Sequence, residues 1–481
     1  MEMHTVPMII NGEELLTNNK FDVVNPSNNL ACHNSIAATP NDARAAVDAA
    51  AKALVGWRQS TPSARRDILL RAAEIMNSDR KELAEYMAVE TGSSNEWTQF
   101  NLNNAIDLLK DVAGRISSIE GSTPTLSNLN MKALIVKEPY GVVFSVASWN
   151  SPYILGMRST ILPIAAGNTV VLKGSELSPR CFWAIASVLL RAGLPAGVLN
   201  YISTDRDQAY DVTEAIVSHR EVKKLNFTGS IAVGRVVSEL AARHLKPVLL
   251  ELGGQASAVV WEDADLDLAV KECVAGSFMY AGQCCMSTDK VILHKTIRDD
   301  FMQKLIPAIK AGFPSDDEAR LMIRPSGKDK VMRLLEEAER KGAVITCPAL
   351  EGESSTTAAA HDPTRLEPRL VSGVTPDMAI YQQENFGPTL SIFEVETEEE
   401  ALRIVNDAEC GLSSAVFTQD LLRGFRLAEG IEAGAVHINN MSIHDESALP
   451  HGGCKASGFG RFNTQYGLSE WLRTKTITWK K

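Results

Sequence analysis

Between positions 41 and 92 apolar side chains recur every three to four residues, first in NDARAAVDAAAKALVGW and then in TPSARRDILLRAAEIMNSDRKELAEYMAVETG. That spacing predicts successive amphipathic helices. Thr61 followed by Pro62 reads as an N-cap with proline in the first turn. A Ser/Pro-rich hinge, SSIEGSTPTLSN, leads into the β-branched stretch ALIVKEPYGVVFSVASW. From there strand and helix patterns alternate. TVVLKGSE (169–176), VLNYIST, VKKLNFTGS and PVLLELGG read as strands, with CFWAIASVLLRAG and AVGRVVSELAARH as helices between them. Such alternation predicts βαβ units and a parallel sheet covered on both faces. Past Gly254 it resumes in KVILHKT, GAVITCPAL, LSIFEVE and GAVHINN, which predicts a second α/β domain. The polar, small-residue run 351–368 reads as a surface loop. The end, WLRTKTITWKK, reads as an exposed edge strand open to pairing with another subunit.

Composition narrows the classes. At 481 residues, two or three domains are expected. The net charge of −11 argues against a nucleic-acid or anionic-membrane partner, since both need basic surface. No apolar run reaches the roughly 20 residues of a spanning helix, and the N-terminus lacks a secretory pattern. Eight cysteines with no CxxC pair suggest a reduced, cytoplasmic protein without a zinc site. His437, His444 and His451 recur every seven residues, but the turn residues among them deny a single helix, and no metal role is expected.

Candidate chemistry lies at strand ends. Lys173 and Glu176 follow one strand, and a carboxylate there can accept both ribose hydroxyls of an adenosine while repelling a 2′-phosphate. Gly229, Ser230 and the helix after them offer free N–H groups for a phosphate. Glu251 ends PVLLE before two glycines; burial would raise its pKa and suit it as a general base. Asn150 follows another strand and can donate to an oxyanion. In AGQCCMS (281–287) two cysteines stand side by side, and at most one can face a given pocket. Taken singly, each of these residues is equally well a solvated charge, a turn or a cap.

Their order is more specific. SWN (148–150), KGSE (173–176), FTGS (227–230), ELGG (251–254), GQCC (282–285), ENFGP (384–388), HIN (437–439) and GGCKASGFGR (452–461) resemble the aldehyde dehydrogenase superfamily from about residue 8 to the end. The resemblance implies a Rossmann-like NAD-binding domain from 1–121 and 139–253, with 447–467 returning to it. It further implies an α/β catalytic domain at 254–446 and a small β oligomerisation arm from 122–138 and 468–481, in a homodimer or homotetramer. The family's Gly-Gln-any-Cys register makes Cys285 the nucleophile and leaves Cys284 as a pocket wall. Glu251 matches the general base, and Asn150 with the Cys285 N–H matches the oxyanion hole. Trp149, Lys173, Glu176, Gly229, Ser230, Gly234, Glu384 and Phe386 match positions on an NAD cofactor.

Closer resemblance, in NFTGS, GQCCMST and VHIN, is to the salicylaldehyde, benzaldehyde and vanillin dehydrogenase branch. There the substrate pocket corresponds to Trp97, Ser151 and Arg158: a ring to stack on, a small residue giving room, and a cation for a phenolic or carboxylate oxygen. The expected substrate is an aromatic aldehyde. Aliphatic or semialdehyde oxidation is the alternative within the family. An acylating enzyme is disfavoured by the presence of Glu251. A cysteine-dependent thiol esterase or a non-catalytic binding protein on the same fold is the alternative outside it.

Overall fold

A computed structural model describes residues 3–313, 320–348 and 362–480. The chain builds two seven-stranded sheets. The first runs Val248–Glu251, Val222–Thr228, Val142–Val146, Thr169–Lys173, Leu199–Ile202, Met8–Ile10 and Glu13–Leu15 from edge to edge. Its first five strands are parallel, and the last two are antiparallel additions. Strand order reverses where Val142–Val146 lies beside Val222–Thr228. Such a switch point leaves a crevice beyond the carboxyl ends of the two strands, where ligands bind in open α/β sheets. The second sheet runs Val344–Thr346, Arg369–Ser372, Thr389–Val395, Thr288–His294, Ala256–Val260, Ser413–Phe417 and Ala435–Ile438. The passage between the sheets is the short segment from Glu251 to Ala256.

Local sequence explains the elements around the crevice. Val142, Val143 and Phe144 are fully buried, as a parallel strand covered on both faces requires. The helix Pro40–Trp57 opens with a capping box: the Asp42 carboxylate accepts from Thr39 N at 2.8 Å, and Thr39 Oγ1 accepts from Asp42 N at 3.3 Å. Thr61 caps Pro62–Ser78 as the sequence predicts, accepting from Ala64 N at 3.2 Å. The helix Pro152–Ala165, which starts just after Asn150, is buried along its whole length. A helix apolar on all sides belongs in a core. Arg158 is the charged residue inside it and must find anions there.

The terminal strand Leu472–Lys480, read as an open edge, pairs antiparallel with Met131–Pro139 of the same chain, and the two form one ribbon. Ile477 and Trp479 remain about half exposed on it. Most of the 351–368 run lies outside the described residues. In the rest, Thr364 and Leu366 are buried, and Thr364 Oγ1 donates to Pro26 O at 2.9 Å. The surface-loop expectation therefore fails for this part, which packs onto the N-terminal segment. Among the described residues no helix is long and apolar enough to cross a membrane.

Candidate active site

The two cysteines follow an unusual turn. Tyr280, Ala281 and Gly282 take φ values of 50°, 53° and 69° in succession. Left-handed backbone costs a non-glycine residue about 1–2 kcal/mol, so something must hold it. Tyr280 Oη donates to Thr91 O at 2.7 Å. A Cβ on Gly282 would collide with the carbonyl of Gly387. Gln283, fully buried, donates to Tyr280 O (3.2 Å) and Leu321 O (2.9 Å) and accepts from Ile323 N (2.8 Å). Pinned this way, the loop sends Cys284 into the hydrophobic core and turns Cys285 toward the crevice. Gly254 completes the fit: a Cβ there would strike the Cys285 carbonyl.

Cys285 Sγ donates to Glu251 Oε1 across 3.8 Å. Its hydrogen bond with Cys284, its burial and the nearby Glu251 and Glu384 carboxylates push its pKa well above that of a free thiol, so it rests protonated. Asn150 is buried and donates one amide hydrogen to Gln283 O at 3.1 Å, which leaves the other for an incoming oxygen. Glu251 is buried between two basic side chains. Arg158 Nη1 lies 3.3 Å from Oε2, and His451 Nε2 lies 3.1 Å from Oε1. Arg158 also pairs with Asp445. Burial alone would raise the Glu251 pKa, but His451 and then Arg158 outweigh it and hold the carboxyl down at about 2. The expectation of a raised Glu251 is thus overturned, because both partners lie far away in sequence.

A cavity of about 230 Å³ opens at the switch point. Of the residues singled out in the sequence, Trp149, Asn150, Gly229, Ser230, Glu251, Cys285, Glu384 and Phe386 line it. Ser230 caps the helix Ile231–Arg243, accepting from Val233 N at 3.4 Å. Glu384 accepts from Gly254 N at 3.0 Å, and burial raises its carboxyl to about 7. Phe386, at φ 51°, meets Trp149 edge-on with ring centres 5.8 Å apart. Lys173 and Glu176 stand outside the cavity lining, but Arg324, which does line it, reaches Glu176 at 3.9 Å. Burial lowers the Lys173 pKa. Gly234 sits a turn inside its helix against Leu252 and does not reach the cavity, so its tight fit serves packing.

Residues 15–477 match the model of the aldehyde dehydrogenase family. The chain belongs to that family. A vanillin dehydrogenase of Pseudomonas fluorescens is 38% identical over 99% of this chain and 98% of its own length. The crystal structure of a salicylaldehyde dehydrogenase from Pseudomonas putida G7, complexed with salicylaldehyde, superposes with a TM-score of 0.94. It is 33% identical and covers 99% of this chain and 98% of its own. A betaine aldehyde dehydrogenase of Staphylococcus aureus in complex with NAD+ superposes at 0.93 with 29% identity, covering 98% of this chain and 97% of its own.

In this aldehyde dehydrogenase fold the four residues expected at the substrate do not line the cavity. Trp97 is buried, stacks on Phe100 and Tyr280 at 5.3 and 5.5 Å, and donates from Nε1 to Asn150 O at 2.9 Å. Its rings are already partnered, and it steadies the Asn150 backbone instead of presenting an open face. Ser151 heads the buried helix, and Cys284 packs in the core. Arg158 is engaged by Glu251 through Nη1 and by Asp445 through Nη2, with Nε buried and unpartnered. The sequence reading missed His451, Asp445, Arg324 and Lys330. For the last three no local pattern distinguishes them from ordinary surface charges. His451 carried a signal in the seven-residue histidine spacing, which was weighed only for metal binding. Among the described residues no His, Cys, Asp and Glu cluster can hold a metal.

Proposed function

We propose that this chain oxidises an aldehyde, aromatic by preference, to the carboxylic acid with NAD, using Cys285 as nucleophile and Glu251 as general base. The observation that carries the reading is the meeting of three groups at one cavity: the Cys285 thiol, the Glu251 carboxylate 3.8 Å from it, and the Asn150 amide. The rest of the cavity fits a dinucleotide. The open first turn beyond Gly229 and Ser230 suits a pyrophosphate, Glu384 in the lining and Glu176 just outside it, 3.9 Å from Arg324, suit ribose hydroxyls, and Trp149 and Phe386 offer ring surface. When bound, the nicotinamide supplies the hydride acceptor that aldehyde oxidation requires.

The chain's own residues do the remaining work. Glu251 takes the Cys285 proton, and the thiolate adds to the carbonyl carbon. The Cys285 N–H and the free hydrogen of the Asn150 amide receive the oxygen as it gains charge. After oxidation the substrate is held as a thioester on Cys285. Glu251 then removes a proton from water, whose oxygen displaces Sγ and frees the acid. Support for an aromatic ring comes from the relatives named for vanillin and salicylaldehyde. For Arg158 to bind a phenolic oxygen it must first loosen from Glu251 or Asp445. The exposed outer face of the Met131–Pro139 and Leu472–Lys480 ribbon supports a homodimer or homotetramer. Aliphatic or semialdehyde substrates are the second reading.

Kinetics with NAD and NADP on salicylaldehyde, benzaldehyde and short alkyl aldehydes test the proposal, alongside two variants. Cys285→Ala is expected to abolish NADH formation, and Cys284→Ala to keep most of it. Substantial turnover by the first variant overturns the nucleophile, and a clear preference for acetaldehyde overturns the aromatic substrate.

A further inference from the structure

His451 and Glu251 lie 200 positions apart in the chain, yet the structure places them in contact. The Nε2 atom of His451 is 3.1 Å from Glu251 Oε1, within ion-pair reach though off the line of a hydrogen bond. On the far side of the ring, Nδ1 lies 4.0 Å from Asp445 Oδ1. The imidazole therefore stands between two buried carboxylates, one of which touches the nucleophile. Beyond it is a cavity of about 30 Å³, enough for one water, lined by His437, His444, Asp445, Glu446 and His451. His437 Nε2 is buried without a protein partner, as expected of an atom that bonds water there. The His437 and His444 rings are 5.1 Å apart. His444 is about one-third exposed and has Glu446 at 3.6 Å, so the far end of this row reaches solvent.

We infer that His451 is the proton acceptor behind Glu251, passing protons from the reacting centre through the small histidine-lined cavity to solvent. The inference deepens the proposed mechanism and rests on it. Hydrolysis of the thioester forms a bond from water oxygen to the acyl carbon and breaks the bond from that carbon to Sγ, which leaves as thiolate. One water proton goes to Glu251, then to His451 Nε2. A proton leaves Nδ1 toward Asp445 and the cavity water, and the new acid ionises to solvent.

The need for such a step is visible in the site. Arg158, 3.3 Å from Oε2, favours the ionised form of Glu251 whatever the state of His451, so a proton that Glu251 receives is readily passed on. Imidazole is the side chain suited to carry one onward. The groups around the ring are Glu251 from the sheet, Asp445, His444 and Glu446 from the loop before it and His437 from the second sheet, while Arg158 from the buried helix and Cys285 from the nucleophile loop reach Glu251 itself. His437 is depressed by burial and by the two other histidines to about 4, so it stays a neutral acceptor.

The test isolates deacylation. The full-length protein is acylated on Cys285 with 4-nitrophenyl acetate, and loss of the acyl group is followed by intact mass between pH 5.5 and 9. His451→Gln is expected to slow the loss about tenfold or more and to flatten its dependence on pH near neutrality. Added imidazole should restore part of the rate in His451→Gln and none in the wild type. His451→Asn and thermal unfolding of both variants separate a folding defect from the chemistry. An unchanged decay, or one slowed equally at all pH values with no response to imidazole, overturns the relay. If the wild type sheds the acyl group but forms no NADH from any aldehyde, the oxidation reading fails and the relay stands.

Discussion

Glu251 and Glu384 line one cavity, the first buried and the second half-buried, yet their carboxyls move in opposite directions, to about 2 and about 7. Burial pushes each upward. Around Glu251 that push is outweighed by His451 and Arg158. Around Glu384 only the Gly254 N–H and Lys330 oppose it, and they do not suffice. The lesson concerns function. The carboxylate beside the nucleophile is kept ionised, ready to receive a proton in each half of the reaction. The one proposed for ribose hydroxyls is pushed up by burial, so its ionised form is costly without further hydrogen-bond donors.

The two carboxyls also act oppositely on stability. Glu251, depressed, stabilises the fold above its unfolded value near 4.5, and that contribution is lost as pH falls through about 2. Glu384, raised, binds its proton more tightly in the folded state, so its contribution weakens as pH climbs from about 4.5 to about 7.

Removing the first carboxylate should break the contrast most severely. Glu251→Gln is expected to lower steady-state turnover by about 10²–10⁴, measured as NADH formation. A variant within threefold of wild type would show that another base serves. Arg158→Met should come next. It leaves Asp445 and Glu251 buried without their guanidinium, which costs about 3–5 kcal/mol in denaturant unfolding. The acid limb of its activity profile should move to higher pH as Glu251 loses a cation, and an unmoved limb would assign the depression to His451 alone. The mildest change is Glu384→Gln, which removes a carboxylate that is costly to ionise. Its unfolding midpoint should rise above wild type at pH 8 and match it at pH 5, with an effect on the order of 3 kcal/mol or less. A loss of stability at pH 8 would mean that the Gly254 contact outweighs the desolvation.

Much of this contrast was out of reach of sequence reading. Capped helices and buried strands were legible because their signals are local: Thr61 before Pro62, and the VVFSV run. Cys285 was picked out by its Gly-Gln register, and the structure supplies the cause in the three hydrogen bonds of Gln283. The charge state of Glu251 depends on Arg158, 93 positions before it, and on His451, 200 after it, and neither connection has a periodic trace. Trp97 and Arg158 were expected at the substrate from the resemblance to the salicylaldehyde, benzaldehyde and vanillin dehydrogenase branch. Both prove to be buried and engaged by other groups of the protein, which residue types do not reveal.

The ribbon of Met131–Pro139 and Leu472–Lys480 sets a schedule for synthesis. Lys137 pairs with Thr474, 337 positions further on. At roughly 5–20 residues per second, the earlier strand leaves the ribosome roughly 20–70 s before its partner exists. During that interval its edge is free to pair with any neighbouring nascent chain. Lys132, Lys137 and Glu138, spread along that strand, place charge on the waiting edge, a device by which edge strands discourage pairing with other chains.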